Sequence, residues 1–561
     1  MLFTVWQALV VKNALTDAAA DLKVAAKKFG EGRDRQAAAR LEAAASSASR
    51  AQRNTTGPIW WIASYLPDVG DDVEAVRTVS AVADDLLGGA LPGLTEGGSA
   101  ARPEAFRPVR GRFDIEGIKA AQPILASLAD DVSKGNARVA TLDTPGLIVP
   151  LRTRVLDLQE TLELADSAAR AAASAAELMP TMLGQDGKRT YLLLFQNNAE
   201  IRAQGGMPGA LAIIEAEDGS VRMTRQGAPR DIGTFPRPFV DLTGEEVELF
   251  TTRAAIYPQD TVFIPDFPRS SSIVSQMWER RQPEELDGVL SVDPVALSYL
   301  LRATGPVRLA GGQVVTATDA RDYLMREVYL DVRGEKAQNT IFADTARGAF
   351  DALTGGSVEP AALLRAVAEA TTERRIMVWS ERSEEQDLLA GTAIGGDLPV
   401  AANERPEVGV YVNDSAADKL SAYFDYRVDV SARTCSADRQ TLDVQVTMTS
   451  TVPAGVTLPT SVVGPPTNPT RPGDILNSVY LYAPPGGYIV SADLDGQEPP
   501  LGDYTYRGRD VGAVTVGLER GETRTLSYEV RTGEGETGDP RLITTPGALG
   551  SGMGDVSATA C

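Results

Sequence analysis

Hydrophobic periodicity changes twice along this 561-residue chain, and that double change constrains the fold more than any single motif. Up to about residue 180, apolar residues recur at spacings of three and four: Leu15, Ala18, Leu22, Ala25 and Phe29 share one helical face. The longest stripe runs Leu151, Val155, Leu158, Leu162, Ala165, Ala169, Ala172, Ala176. Its small alanine seam predicts close antiparallel packing, a helical stalk or bundle over 1–186. From Gly187 the pattern breaks into short apolar runs, Tyr191–Phe195 and Ala210–Ile214, the latter followed by the turn Glu217-Asp-Gly219. Helical stretches then alternate with strands, and one continuous helix is expected over Ala317–Tyr329. That predicts an α/β core over 187–404. Beyond 405 the period is two. Phe424, Tyr426, Val428 and Val430 alternate with polar residues, as do Leu442, Val444, Val446 and Met448. A β-sandwich of the immunoglobulin-like kind is expected over 405–532, with an irregular tail over 533–561. The class is multidomain α+β.

Composition narrows the chemistry. The chain has no histidine, which removes Ser-His-Asp and Cys-His catalysis, His-ligated zinc or haem, and imidazole pH switches. With 54 Lys+Arg against 76 Asp+Glu the formal charge is −22, so nucleic acid is not an expected partner. No P-loop, dinucleotide-binding glycine pattern, EF-hand loop or nucleophile elbow is present, and no nucleotide cofactor is expected.

Two features bear on compartment. Cys435 and Cys561 are the only cysteines. In a reducing compartment they read as unrelated thiols, and in an oxidising one as a staple holding the C-terminus to the last domain. Met1–Val11 (MLFTVWQALVV) is apolar and uncharged, but its 11 residues are too few to span a bilayer. On the residues alone it is either the end of a longer membrane helix or the buried start of a soluble one.

Polar residues gather where a buried strand ends, the usual place for ligands in α/β folds. The run Tyr191-Leu-Leu-Leu-Phe-Gln-Asn-Asn-Ala-Glu-Ile-Arg-Ala-Gln-Gly-Gly206 resembles the signature of the bacterial domain-of-unknown-function family 4012. Asp287–Pro294, Thr304-Gly-Pro306, and Tyr411-Val-Asn-Asp-Ser with Lys419 and Tyr423 are similar to its later motifs. The resemblance implies a single-pass envelope protein on the outer side of the cytoplasmic membrane, with a helical stalk. Met1–Val11 is then the end of a membrane anchor.

A second, weaker resemblance, to the LytR-CpsA-Psr transferases, supplies chemistry. Those proteins move glycopolymers from polyprenyl-pyrophosphate carriers to peptidoglycan. Here Arg202 stands where their arginine precedes the second strand, and Pro229-Arg230-Asp231 matches their Pro-Arg-Asp turn. Arg333, Asp344 and Arg347 fall near their arginine-rich helix. Asn197 and Asn198 replace an acidic residue, and Gly205-Gly206 replaces Ser-Asp. The resemblance implies Arg202, Arg230 and Asp231 as catalytic residues and Asn197, Asn198, Arg333 and Arg347 as ligand-binding residues. Asp231 and Asp344 would hold a Mg²⁺ ion. Arginine forks suit a pyrophosphate, and phosphoryl transfer needs no imidazole. Hairpin topology predicts that Arg202, Arg230 and Asp231 converge on one pocket. The expected function is binding or transfer of lipid-linked glycopolymer, with catalysis left open. The competing reading is a non-enzymatic structural or adhesion protein.

Overall fold

The computed structural model describes residues 2–30, 33–67, 69–90, 106–355 and 358–561. They fall into two compact units, residues 1–107 with 113–186, and residues 108–112 with 187–561.

The first unit is helical: Leu2–Gly30, Asp34–Thr55, Pro58–Ala63, Gly70–Asp85, Ile115–Ala140 and Val149–Met182. The long stripe behaves as its spacing predicts. Val155, Leu162, Ala169 and Ala176, seven residues apart, are buried, and the partly buried Leu151, Leu158 and Ala165 flank them. Small residues let helices approach closely: Ala18, Ala44 and Ala48 pack together against Leu87. Val11 is buried against Ala51 and Trp60, so the end of the apolar N-terminal run enters the bundle core. No helix among the described residues is long and apolar enough to cross a membrane.

The second unit begins with the strands β1 (Arg189–Asn197), β2 (Met207–Glu217), β3 (Ser220–Gly227) and β4 (Gly288–Val292). A two-stranded ladder of β5 (Val307–Arg308) and β6 (Val314–Val315) follows, then β7 (Ile376–Ser380). The main sheet has the order β3-β2-β1-β4-β7. β1 pairs antiparallel with β2 and parallel with β4, and β4 pairs antiparallel with β7. The Asp218-Gly219 turn between β2 and β3 has positive φ at both residues, 50° and 77°, which suits a tight hairpin. Helices cover both faces of β1, and this explains its unbroken apolar run. Leu192 and Leu194 pack on one side with Phe267 and Trp278, whereas Leu193 and Phe195 face the other.

Ten further strands complete the unit: β8 (Glu407–Asp414), β9 (Phe424–Ser436), β10 (Arg439–Ser450), β11 (Ile475–Tyr482), β12 (Tyr488–Leu494), β13 (Gly502–Tyr506), β14 (Arg509–Leu518), β15 (Thr523–Arg531), β16 (Arg541–Thr544) and β17 (Met553–Val556). They form two sheets, β12-β15-β10-β9-β17 and β13-β14-β11-β8-β16. Val444, Val446, Leu526 and Tyr528 of one sheet share a core with Val479, Leu481, Val514 and Val516 of the other. The period-two pattern thus marks the inner face.

Two expectations change. The tail expected to be irregular carries β16, parallel to β8, and β17, parallel to β9. Glycines and prolines there separate two short edge strands rather than preventing them. Ala317–Tyr329 is not one helix. Ala320–Asp322 runs into a π-helical turn, Tyr323–Glu327, and then Val328–Asp331. Cys435 and Cys561 are joined in a disulfide, 126 residues apart in sequence.

Candidate functional site

Two features border β1: a cavity against one face and a polar seam at its C-terminal end. The cavity, about 300 Å³, lies between the sheet and the helices Pro294–Thr304 and Glu335–Thr354. Its floor is Leu193 and Phe195 of β1, Leu290 and Val292 of β4, and Ile376 and Val378 of β7. Phe342, Ala346, Ala349, Phe350 and Leu353 line its roof, at helical spacing along one face. Two alanines between phenylalanines leave the sheet uncovered beneath them, and Gly209 adds no side chain from β2. The void is therefore a consequence of residue size at named positions. Its volume is about twice the roughly 150 Å³ of an engineered apolar cavity that admits benzene.

The cavity's polar border is formed by Gln196, Asn197, Ser291 and Asp293, where β1 and β4 end. Gln196 Nε2 donates to Ser291 Oγ at 2.7 Å, and its Oε1 accepts the Gly206 N–H at 3.0 Å. Asn197 Nδ2 donates to the Tyr329 hydroxyl, and Asn197 Oδ1 accepts the Ala199 N–H at 3.1 Å. Burial pushes the Tyr329 phenol up to about 12, so it stays protonated. Asn198 Nδ2 donates to Asp293 Oδ2 (2.9 Å) and to the Pro546 carbonyl (3.0 Å). Asp293 caps the helix Pro294–Thr304 through the Ala296 N–H and pairs with the buried Arg375 guanidinium at 2.7 Å.

Beyond this border, the loop between β1 and β2 is wedged against β8. Arg202 pairs with Glu200 at 2.6 Å, donates to the Asp414 carbonyl at 3.0 Å and lies 4.6 Å over the Phe263 ring. Glu200 also holds Lys419 at 3.2 Å. Ala203 N–H donates to Asn413 Oδ1 (2.8 Å), and Asp414 N–H donates to the Ile201 carbonyl (2.9 Å). Gly206 belongs here because a Cβ would overlap the Asn197 carbonyl. Burial pushes the Asp418 carboxyl up to about 7, and burial with repulsion from Asp418 pushes Asp414 up as well.

The expected convergence of Arg202 with Arg230 and Asp231 is not what the structure places there. Arg202 is buried in the seam, while Arg230 and Asp231 are exposed on the short helix Pro229–Ile232. The hairpin does return the chain to the same end of the sheet. The Arg202 side chain, however, follows Glu200 and the Asp414 carboxylate, 3.7 Å away, into the protein interior. An ion pair made across 212 residues has no local signature. Asp231 accepts the Ala228 N–H at 2.8 Å, a capping role. Asp344 lies on the helix Glu335–Thr354, and no group of three or more His, Cys, Asp or Glu among the described residues is arranged to hold a metal. Arg333 is exposed just before that helix. Arg347 Nε donates to Gln226 Oε1 at 3.0 Å, and Gln226 Nε2 donates to the Ala343 carbonyl at 2.6 Å, so together they fasten the cavity roof to β3.

Sequence reading missed Asp293, Arg375 and Tyr329, and the two cavity alanines. The Asp293-Pro294 pair at a strand end was a usable N-cap signal. Ala346 and Ala349 had none, because a void is defined by what surrounds it.

No curated protein and no solved structure matches the chain. Residues 186–329 match the family model described as "Protein of unknown function (DUF4012)", a span that runs from the start of β1 through the signature loop to Tyr329.

Proposed function

We propose that this protein acts in the cell envelope, on the outer side of the cytoplasmic membrane, and holds a lipid-linked glycopolymer by its polyprenyl chain. The observation that carries this reading is the apolar cavity beneath Ala346 and Ala349, which opens beside a polar border at the strand ends. A hydrocarbon chain gains about 25 cal/mol per Å² of surface removed from water there. The pyrophosphate would remain at the polar border or outside it. The reading takes the core as LytR-CpsA-Psr-like and the paired sheets as immunoglobulin-like, with attachment through the N-terminal helix. It is a binding function without catalysis: Arg202, the residue expected to clamp phosphate, already has two carboxylates and a carbonyl as partners. No step is routed through a metal.

The test is equilibrium binding of a polyprenyl phosphate to the full chain. Filling the roof with Ala346→Trp is expected to weaken binding at least about tenfold, a change of about 1.4 kcal/mol. Ala349→Leu, a smaller insertion, provides the same reading should Ala346→Trp perturb folding. Parent-like binding by both folded variants would end the proposal.

The second reading, a purely structural envelope protein, is favoured by the same seam: its buried charges are spent joining β1 to β8. It predicts no measurable lipid binding at all.

A further inference from the structure

Among the described residues of the helical unit, the densest run of exposed large apolar side chains is Ile59, Trp61, Ile62, Tyr65, Leu66 and Val69, around the short helix Pro58–Ala63. Tyr65 is 73% exposed, Ile62 58% and Trp61 56%. The Trp61 and Tyr65 rings meet edge-on, 5.2 Å between centroids, so two large rings stand together in water. Packing puts other chain segments at the same end of the bundle. Trp60, behind this knuckle, is buried with Val11, nine residues into the first helix, and with Ala51, in the last two turns of the second. The connection before Val149–Met182 arrives there too, because Ile148 N–H donates to Asp72 Oδ1 at 3.0 Å. Its own residues Ile148 and Val149 are 57% and 70% exposed. One end of the bundle therefore carries an apolar, aromatic-bearing cap. Contiguous exposed apolar surface of this kind marks an interaction site.

We infer that this tip docks into the lipid–water interface of a bilayer, lying in it without crossing it. Three observations favour lipid over another protein surface. Trp and Tyr, with an apolar body and a polar edge, suit the headgroup level. The last residue of the uncharged run Met1–Val11, Val11, packs with Trp60 directly behind the knuckle. Several polar groups at the tip are also paired internally, which lowers the cost of a low-dielectric surrounding. Ser64 N–H donates to the Trp60 carbonyl, Leu66 N–H to Ala63 and Gly70 N–H to Leu66. Asp72 is occupied by the Ile148 N–H, and Arg152 donates to the carbonyls of Thr144, Pro145 and Leu147. On a chain of charge −22, attraction to anionic headgroups is an unsuitable driving force, so docking would be apolar.

The experiment is co-sedimentation of the full chain with mixed phosphatidylethanolamine–phosphatidylglycerol vesicles, residues 1–11 retained. The triple variant Trp61→Ser/Ile62→Ser/Tyr65→Ser is expected to lower the partition coefficient about tenfold or more. Because these side chains are exposed, its melting temperature should match the parent's. Val247→Ser, an exposed apolar residue of the other unit, should change nothing. Added salt should leave parent binding intact or strengthen it. An unchanged partition in the triple variant would overturn the inference, as would an equal loss with Val247→Ser. So would a parent dimer that the triple variant abolishes with no vesicle binding in either protein, since the tip would then face a second copy. The test involves neither the cavity nor its ligand, so the two proposals fail separately.

Discussion

The cavity and the seam adjoin the same strand and solve opposite problems. At the seam, Arg202, Arg375, Glu200 and Asp293 are buried, and each has at least one charged partner within 3 Å. In the cavity, the lining is mostly apolar, and the small side chains of Ala346 and Ala349 leave it open. A buried charge requires a partner, so the seam is closed by its own chemistry. An apolar void lacks neighbouring atoms on one side and gains from any hydrocarbon that supplies them. The polar motif that draws the eye in the sequence is thus mainly internal fastening. The open apolar space lies where the sequence is plainest.

The largest expected effect is on the seam. Arg375→Ala would leave Asp293 buried without its cation, and Arg202→Ala would leave Asp414 without its guanidinium and Glu200 with Lys419 alone. Each is expected to destabilise by about 3–5 kcal/mol, read from urea midpoints. A loss below about 1 kcal/mol for both would mean that the seam does not hold β1 to β8.

Next comes the seam's pH response. Burial raises the folded Asp418 carboxyl to about 7, above its ordinary value of roughly 3.9 in an unfolded chain. The folded state therefore keeps a proton that the unfolded state releases. Its contribution to stability is fully present below about pH 4 and is lost as the pH rises through about 7. Stability of the parent relative to Asp418→Asn should fall by on the order of 2–4 kcal/mol across that window. Parallel pH profiles would show that the seam's charges are not coupled to folding in this way.

Cavity substitutions should move stability less. Ala346→Leu adds volume to existing space and is expected to stay within about 1.5 kcal/mol of the parent in either direction. A destabilisation as large as that of Arg375→Ala would mean the cavity is not free volume. Smallest is Arg230→Ala on the exposed turn, expected within about 0.5 kcal/mol in stability and within threefold in polyprenyl phosphate binding.

Legibility in the sequence followed the range of the interactions. Local periodicity located the helix Val149–Met182 and the inner faces of β9 and β10, because each depends on neighbours a few residues away. Tyr191–Phe195 was readable as a buried strand, though not its parallel pairing with β4 in register Tyr191↔Gly288. The π-helical turn at Tyr323–Glu327 escaped, since its hydrophobic spacing is nearly that of an α-helix. β16 and β17 escaped because both are four-residue edge strands whose partners lie more than a hundred residues away. For the site, Asn197 and Asn198 were correctly placed at a strand end, but their partners Tyr329, Asp293 and Pro546 come from distant segments.

The central claim is that the cavity, and not the signature loop, receives the ligand. The most direct measurement is photo-crosslinking of the full chain with a polyprenyl phosphate carrying a diazirine in its apolar chain, followed by peptide mapping. The account predicts label on the helix Glu335–Thr354, centred on the face of Phe342, Ala346 and Phe350, and on β1 or β4 opposite it. Label confined to Gln196–Gly206, or to the Pro229–Ile232 turn, would contradict it.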